Sequence, residues 1–191
     1  MRQNFPFPPL FGPALPFGRR CGMLFAREGE RAMELFLRPA GRRDAAALAA
    51  IYNSNPGFLA HHLGRERVDE AFLLSELEEM AGAGFASYLI TQGEGGPAVA
   101  AADLRGGEEA YLSLLILHHA AQGRGLGRRC ASLLEEHLRA GGSRRVRIDV
   151  VDDHPGNPLP FWRRLGYEGS ERVALTWGEK TSSALVLRKE L

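Results

Sequence analysis

The feature that most restricts the fold is one stretch, residues 112–138, in which an apolar run gives way to a glycine-rich loop and then to a helical pattern. The run "LSLLIL" is short and rich in branched apolar residues, which is typical of a buried strand. Glycines follow at three alternate positions, Gly123, Gly125 and Gly127. Beyond them apolar side chains recur at helical spacing. A strand and a helix joined in this way predict a crossover connection within a sheet.

The rest of the chain surrounds this crossover with mainly antiparallel elements. Asp44 and Asp69 are positioned to begin two helices, and a shorter helix is expected at "NPLPFWRRLG". Strands are predicted at "MELFLRPA", "FASYLITQ", "PAVAAADLR", "AYLSLLIL", "RRVRIDVV", "YEGSERVAL" and "SALVLRKEL". Short glycine turns separate the second, third and fourth of these strands, which predicts three consecutive antiparallel strands. The fold class is therefore α+β, with a single mixed, mostly antiparallel sheet flanked by helices.

The first residues differ from the rest of the chain in composition. Residues 1–32 contain five of the ten phenylalanines and five prolines, a proline density that opposes helix formation. Three interpretations remain open. The segment is an aromatic arm that packs on a partner or on the domain, or a poorly ordered extension, or the result of an upstream start codon chosen in error. The domain itself is expected at residues 33–191, with Met33 as an alternative start.

Composition excludes several classes of protein. A net charge of +1 gives no global electrostatic reason to bind nucleic acid or an anionic membrane. Two distant cysteines, Cys21 and Cys130, predict no disulfide framework and no metal site, and they favour a cytoplasmic location. The longest apolar run falls short of the ~20 residues that a membrane-spanning helix needs.

Four interpretations of the glycine loop are considered. A P-loop is excluded because Arg128 and Arg129, rather than Lys and Ser or Thr, follow Gly127. A dinucleotide-binding turn, with Asp149 as the ribose ligand, needs a different glycine spacing. A nucleotide-dependent oxidoreductase, the function that such a turn would imply, therefore stays the least favoured alternative. The third interpretation is an anion site at a helix N-terminus, where unpaired amides and the helix dipole favour negative charge. A flexible turn without a ligand is the fourth possibility.

The anion site fits the residues around the loop. Gly125 and Gly127 present backbone without a Cβ, so a pyrophosphate can approach closely. Arg124 and Arg128 are placed to reach the same anion.

These residues resemble a known family, the GNAT superfamily of acyl-CoA-dependent N-acyltransferases. Residues 122–127 match its Gln-x-x-Gly-x-Gly pattern, and Asn157, "FW" and "LGY" follow in the family's order. The resemblance covers residues 33–191 and implies a GNAT-like sheet with a splayed central strand pair. It also implies acetyl-CoA as co-substrate, with the pantetheine arm along Leu115 and Leu117 and the pyrophosphate on the loop amides. The cofactor-binding residues implied are Leu115, Ile116, Leu117, Gln122, Gly123, Arg124, Gly125, Leu126, Gly127, Arg128, Asn157, Phe161 and Trp162.

Acetyl transfer to an amine also needs a group that takes a proton, because an amine of pKa ~10.4 is almost fully protonated at neutral pH. The catalytic candidates are Asp103, Asp149 and Tyr167, with Ser113 as a further substrate contact. Many relatives have a tyrosine where this chain has Trp162, and an indole cannot supply a proton to the departing thiolate.

The resulting hypothesis is an N-acetyltransferase that moves an acetyl group directly from acetyl-CoA to a primary amine of a small molecule or a protein. The missing tyrosine keeps a non-catalytic acyl-CoA-binding module or sensor as the alternative. A homodimer is possible, since it is a common arrangement among relatives. The sequence leaves the acceptor amine open.

Overall fold

Seven strands and five helices follow one another in the part of the chain that the computed structural model describes, residues 34–177 and 180–191. The predicted extension 1–32 lies outside the described residues. The strands are β1 (Leu35–Pro39), β2 (Ala86–Gln92), β3 (Ala98–Arg105), β4 (Glu109–Leu117), β5 (Arg145–Val151), β6 (Glu168–Trp177) and β7 (Lys180–Glu190). The helices are α1 (Ala45–Asn53), α2 (Pro56–Leu63), α3 (Glu70–Gly82), α4 (Leu126–Ala140) and α5 (Leu159–Arg164).

All seven strands form one mixed sheet in the order β1-β2-β3-β4-β5-β7-β6. Neighbouring strands are antiparallel except for β4 and β5, which are parallel and joined by the crossover helix α4. The predicted α+β class and the three consecutive antiparallel strands are thus confirmed. The crossover is the consequence of the glycine loop, because α4 starts directly after it.

The parallel pair β4–β5 separates after three residue pairs, the last being Tyr111 with Arg147. Near the same point β4 carries a bulge on its other edge. Leu112 lies opposite Leu104 and Leu114 lies opposite Asp103, so Ser113 is the extra residue. A bulge bends its strand, which accompanies the separation of the pair here. This is the splayed central pair that the resemblance implied.

Each face of the sheet is covered by its own group of helices. The apolar residues of α4, including Leu133, Leu134 and Leu138, are buried against one face, together with Trp162 of α5. Cys130 lies in this core, and burial raises the pKa of its thiol to about 12, so it is a packing residue. Leu59 of α2 belongs to the core on the other face, which α1 and α3 complete.

Two local details differ from the sequence prediction. The helix α2 was not predicted from the sequence. Pro56 begins it, because proline at the first helical position needs no amide partner and already has a helical φ. Asp44 stands before α1 as predicted, but its side chain does not cap that helix. It accepts instead from the Gly41 amide at 2.9 Å and pairs with Arg38 at 2.8 Å, which lowers the pKa of the carboxyl.

Candidate functional site

The separation of β4 from β5 opens a cleft of about 900 Å³ through the middle of the sheet. Residues 112–117 of β4 form one wall and residues 148–151 of β5 the other. The glycine loop lies at one end, and residues of α2 and of α5 complete the lining. A cleft of this size, lined mainly by apolar side chains, is the kind of site in which proteins bind small molecules.

The end of the cleft at α4 consists of backbone. Gly125 stands at the N-cap of α4 with φ +73°, and Gly123 has φ +72°. Side chains rarely adopt this left-handed conformation, which explains the glycines at both positions. A Cβ added to Gly125 would meet no atom within 4 Å, so the space beside it is open. The first amides of α4 have no acceptor within the helix and are free to bind an anion here.

Gly127 differs from the other two loop glycines because its φ is not positive. An added Cβ would lie 3.4 Å from the Phe161 ring, which is an ordinary van der Waals contact. Phe161 and Gly127 both line the cleft, so the aromatic wall and the helix N-terminus lie side by side there.

The two arginines of the loop differ in position. Arg128 lines the cleft, whereas Arg124, also exposed, is not among the lining residues. Leu126 is buried in the core under α4, so it can offer a ligand only its backbone. Of the predicted loop residues, the structure thus brings Gln122, Gly123, Gly125, Gly127 and Arg128 to the cleft.

A set of side-chain bonds ties the loop to the end of α1. Asn55 Nδ2 donates to the Leu117 carbonyl at 2.9 Å, and Gln122 Nε2 donates to Asn55 Oδ1 at 2.7 Å. The His119 amide donates to Ser54 Oγ at 2.9 Å. The Leu117 carbonyl, expected along the pantetheine arm, therefore already has a protein partner. Asn55 was not a sequence candidate, because its role depends on residues 62 and 67 positions away.

The α5 wall agrees with prediction for two residues and differs for a third. Phe161 and Trp162 line the cleft, and Trp162 packs edge-on against Tyr167 at 5.1 Å. Asn157 does not line it. Its Nδ2 donates to the His154 carbonyl at 3.0 Å, and its Oδ1 accepts from the Leu159 amide at 3.1 Å. The side chain of Asn157 therefore holds the loop before α5 in shape and lies outside the cleft.

Asp149 lines the cleft but is engaged as an ion-pair partner. Arg147 donates to both of its oxygens, at 2.8 and 2.9 Å, and the Tyr111 hydroxyl donates to Oδ2 at 3.0 Å. Its side chain is 1% exposed and that of Arg147 6%. Both oxygens of the Asp149 carboxylate thus already accept hydrogen bonds from the protein. The prediction of Asp149 as a base therefore gains no support from its contacts.

Tyr167 lies outside the cleft and in the core. It is 1% exposed, and its hydroxyl donates to Glu135 Oε1 at 3.0 Å, while Lys189 donates to the other oxygen at 2.7 Å. Burial and the Glu135 charge raise the pKa of the phenol well above its ordinary value. The structure thus places Tyr167, a predicted catalytic residue, in the core beside Glu135 of α4 and not in the cleft.

Asp103 lies beside the cleft, in a second and smaller cavity that we call the side pocket. The Ser87 hydroxyl donates to its carboxylate at 2.5 Å, and burial raises the pKa of that carboxyl to about 6. The side pocket has a volume of about 50 Å³. Its lining residues are Tyr52, Phe58, His62, Leu63, Phe72, Glu76, Met80, Asp103, Ser113 and Leu114.

Glu76 of α3 is the residue of the side pocket that the sequence analysis missed. Burial raises the pKa of its carboxyl to about 7, and the charges of Glu79 and Asp103 act in the same direction. Burial, with the charges of Asp103 and Glu76, also raises the pKa of Tyr52 well above its ordinary value. Nothing in the helical pattern of "EAFLLSELEEM" distinguishes Glu76 from its acidic neighbours, since only the fold brings it to Asp103.

Three histidines meet at the mouth of the cleft. The rings of His61 and His154 lie 4.1 Å apart, and His62 is 5.0 Å from His61. His61 bonds to Asp153 at 3.0 Å, and burial lowers the pKa of His62 to about 4. In the described ranges no three His, Cys, Asp or Glu side chains are arranged to hold a metal ion.

Comparison with known proteins gives both a family and a fold. The model of the Acetyltransferase (GNAT) family matches residues 51–167. An acetyltransferase from Thermus thermophilus is similar at 25% identity and a TM-score of 0.66, over 82% of this chain and 97% of its own. No curated protein matches the chain.

Two further solved structures share the fold at lower identity. A phosphinothricin acetyltransferase of the GNAT superfamily from Sinorhizobium meliloti, in complex with acetyl-CoA, is 18% identical with a TM-score of 0.60, over 82% of this chain and 88% of its own. An N-acetyltransferase from Thermoplasma acidophilum, in complex with coenzyme A, is 14% identical with a TM-score of 0.58, over 82% and 99%. No helix of the described residues is long and apolar enough to cross a membrane.

Proposed function

The chain belongs to the acetyltransferase (GNAT) family, and we propose on that premise that it transfers an acetyl group from acetyl-CoA directly to a primary amine. The observation that carries this proposal is the cleft between β4 and β5, which ends at the glycine-capped N-terminus of α4. An elongated thioester ligand with a pyrophosphate needs these two features together. The residues present fit such a ligand.

The proposal assigns the pyrophosphate to the amides that follow Gly123, with Arg128 as the side chain that adds a positive charge. The open space beside Gly125 and the positive φ of both glycines support this assignment. The pantetheine arm would lie along β4 past Leu115 and Ile116, on the edge that β5 leaves. Phe161 and Trp162 would close the opposite wall.

In the transfer, the amine nitrogen forms a bond to the acyl carbon while the bond between carbon and sulfur breaks. Two protons must leave the ammonium for each acetyl group transferred. The first goes to a protein group or water before attack, and the second can pass to the departing thiolate, which is released as free CoA. Trp162 stands where many relatives have a tyrosine and cannot donate that second proton, so the mechanism must do without a phenol there.

The test combines binding with turnover. We expect calorimetry to show acetyl-CoA binding, and we expect a panel of primary amines to release free thiol from acetyl-CoA. Acetyl-CoA binding without thiol release from any amine would instead support the non-catalytic sensor. NADH binding in place of acetyl-CoA would support the oxidoreductase and contradict the proposal.

Two accompanying predictions concern the protein as a whole. We propose a cytoplasmic location and a homodimer, the latter because it is common in the family. Sedimentation equilibrium of the full chain measures the assembly directly, and fractionation of cells measures the location.

A further inference from the structure

The side pocket lies beside the cleft in which acyl transfer is proposed, and the two cavities share part of their lining. Phe58, His62, Ser113 and Leu114 line both cavities. Ser113 is the bulged residue of β4, at the point where β4 leaves β5. A group held in the side pocket is therefore next to the strand along which the thioester would lie.

The walls of the side pocket are mostly apolar and aromatic. They come from α1, α2 and α3, with Tyr52 and Phe58 in edge-to-face contact at 6.4 Å. The polar groups are few, and two carboxylates are among them, Glu76 from α3 and Asp103 from β3. An apolar pocket with a small number of converging polar groups is the usual form of a binding site.

The charges in this pocket favour a cation. Glu76 and Asp103 repel one another, and the Coulomb interaction with Glu79 adds to this on the side of α3. An ammonium that enters the pocket reduces this repulsion and regains, in charge-assisted hydrogen bonds, part of the hydration that it loses. A carboxylate that enters with the amine would add to the repulsion instead.

We infer that the side pocket binds the acceptor, a primary ammonium on an apolar carbon skeleton with no carboxylate beside the nitrogen, and that Glu76 and Asp103 hold the ammonium and take its first proton. This assignment rests on the acetyl transfer proposed above and names its substrate class. A volume of about 50 Å³ has room for the ammonium and its first carbons, and the remaining skeleton lies against the aromatic walls.

The proton balance is complete with these groups. The carboxylate pair removes one proton from the ammonium, which leaves the nitrogen with a lone pair. Attack on the acyl carbon breaks the bond to sulfur, and the second nitrogen proton neutralises the thiolate. The carboxylic acid then returns its proton to water, so neither an oxidant nor a further reactant is needed.

The protonation of Glu76 depends on neighbours from every element around it. These groups are Tyr52 of α1, His62 of α2, Arg65 of the connection to α3, Glu79 of α3 and Asp103 of β3. Arg65 is the neighbour that favours the charged carboxylate, whereas Glu79 and Asp103 favour the protonated acid. The pair therefore changes its protonation near neutral pH, where a proton acceptor is effective.

Matched probes test the assignment. 2-Phenylethylamine and phenylalanine differ only in one carboxylate, as do pentylamine and norleucine. With acetyl-CoA, we expect kcat/KM from thiol release to be at least about tenfold higher for each amine than for its amino acid. Glu76→Gln should lower kcat/KM for 2-phenylethylamine about 100-fold and shift its pH profile, because the charge that pairs with the ammonium is gone.

Glu78→Gln is the matched control, because Glu78 lies on the same helix but is exposed and bonded to Arg42. It should change kcat/KM less than about twofold. Calorimetry of 2-phenylethylamine with the CoA-saturated protein gives a readout apart from turnover, and Glu76→Gln should weaken this binding about tenfold. If Glu76→Gln does not fold, Asp103→Asn carries the same comparison.

The outcomes separate the two proposals. Equal use of 2-phenylethylamine and phenylalanine, or an unchanged Glu76→Gln enzyme, overturns the pocket assignment and leaves acetyl transfer intact. Acetyl-CoA binding with no thiol release from any probe, nor from a broader panel of amino acids and peptides, overturns acetyl transfer itself.

Discussion

The two sides of β4 are built in different ways. On the side proposed to bind the cofactor, the loop before α4 contributes consecutive residues and mostly backbone to the cleft. On the side-pocket side, the polar groups come from three helices and two strands, and Glu76 and Asp103 are 27 positions apart in the sequence. The first kind of site leaves a readable pattern of glycines, whereas the second leaves none, because its members meet only in three dimensions.

The difference also affects how each side of β4 responds to amino-acid substitution. A backbone site tolerates substitution of exposed side chains but not the loss of its glycines, because positive φ and close approach are fixed by geometry. A side-chain pocket is altered by single substitutions that leave the fold intact. We therefore expect cofactor use to be rigid and acceptor choice to be adjustable.

The largest expected effect is on stability and concerns Asp149, which lines the cleft between β4 and β5. Asp149→Ala removes the carboxylate that accepts from Arg147 and Tyr111. Removal of one partner from a buried ion pair costs about 3–5 kcal/mol, so the free energy of unfolding measured with urea should fall by that order. A nearly unchanged stability with lost turnover would instead restore Asp149 as a base.

The next prediction tests whether the backbone of the glycine loop binds the anionic part of acetyl-CoA. Gly125→Glu should weaken acetyl-CoA binding at least about 100-fold, because it places a negative charge at the anion site. Gly125→Ala is the matched control, since it has the same strain at φ +73° without the charge. Calorimetry should show a loss of about tenfold or less for alanine. Equal losses for both variants would mean that strain, and not the anion site, sets affinity.

A smaller effect separates the two loop arginines. Arg128→Ala should raise the dissociation constant of acetyl-CoA about tenfold, because one exposed charge-assisted bond is lost. Arg124→Ala should change it less than about twofold, since Arg124 does not line the cleft. A larger effect of Arg124→Ala would contradict the distinction that Arg128 lines the cleft and Arg124 does not.

The smallest effect concerns the side pocket. The pKa values of Glu76 and Asp103 are raised to about 7 and about 6, so the unfolded chain releases these protons first as pH rises. The stabilisation is complete below about pH 4 and declines as pH rises to about 7. Glu76→Gln should flatten this decline by on the order of 1 kcal/mol, measured by urea unfolding at pH 5 and pH 8. Parallel curves for both proteins would contradict the raised pKa.

Much of the fold follows from local signals. Alternating strands, glycine turns and the apolar stripe of α4 act over a few residues, so they can be read without tertiary information. Pro56 shows the limit, because a proline that follows one helix can also begin another, and the start of α2 with its buried Leu59 was not evident from the sequence. Asn157 and Tyr167 show another, since a residue of a matching motif can face the loop or the core instead of the cleft.

The bonds of Asn55 have a practical consequence for anyone who wishes to redesign this protein. The Asn55 side chain joins the end of α1 to Leu117 and to Gln122. A transplanted α1–α2 segment must therefore keep an asparagine at position 55 for the glycine loop to retain its shape. Helix α3 supplies Glu76 from a separate part of the chain. Libraries aimed at new amines are thus best concentrated in α3, with position 55 left untouched.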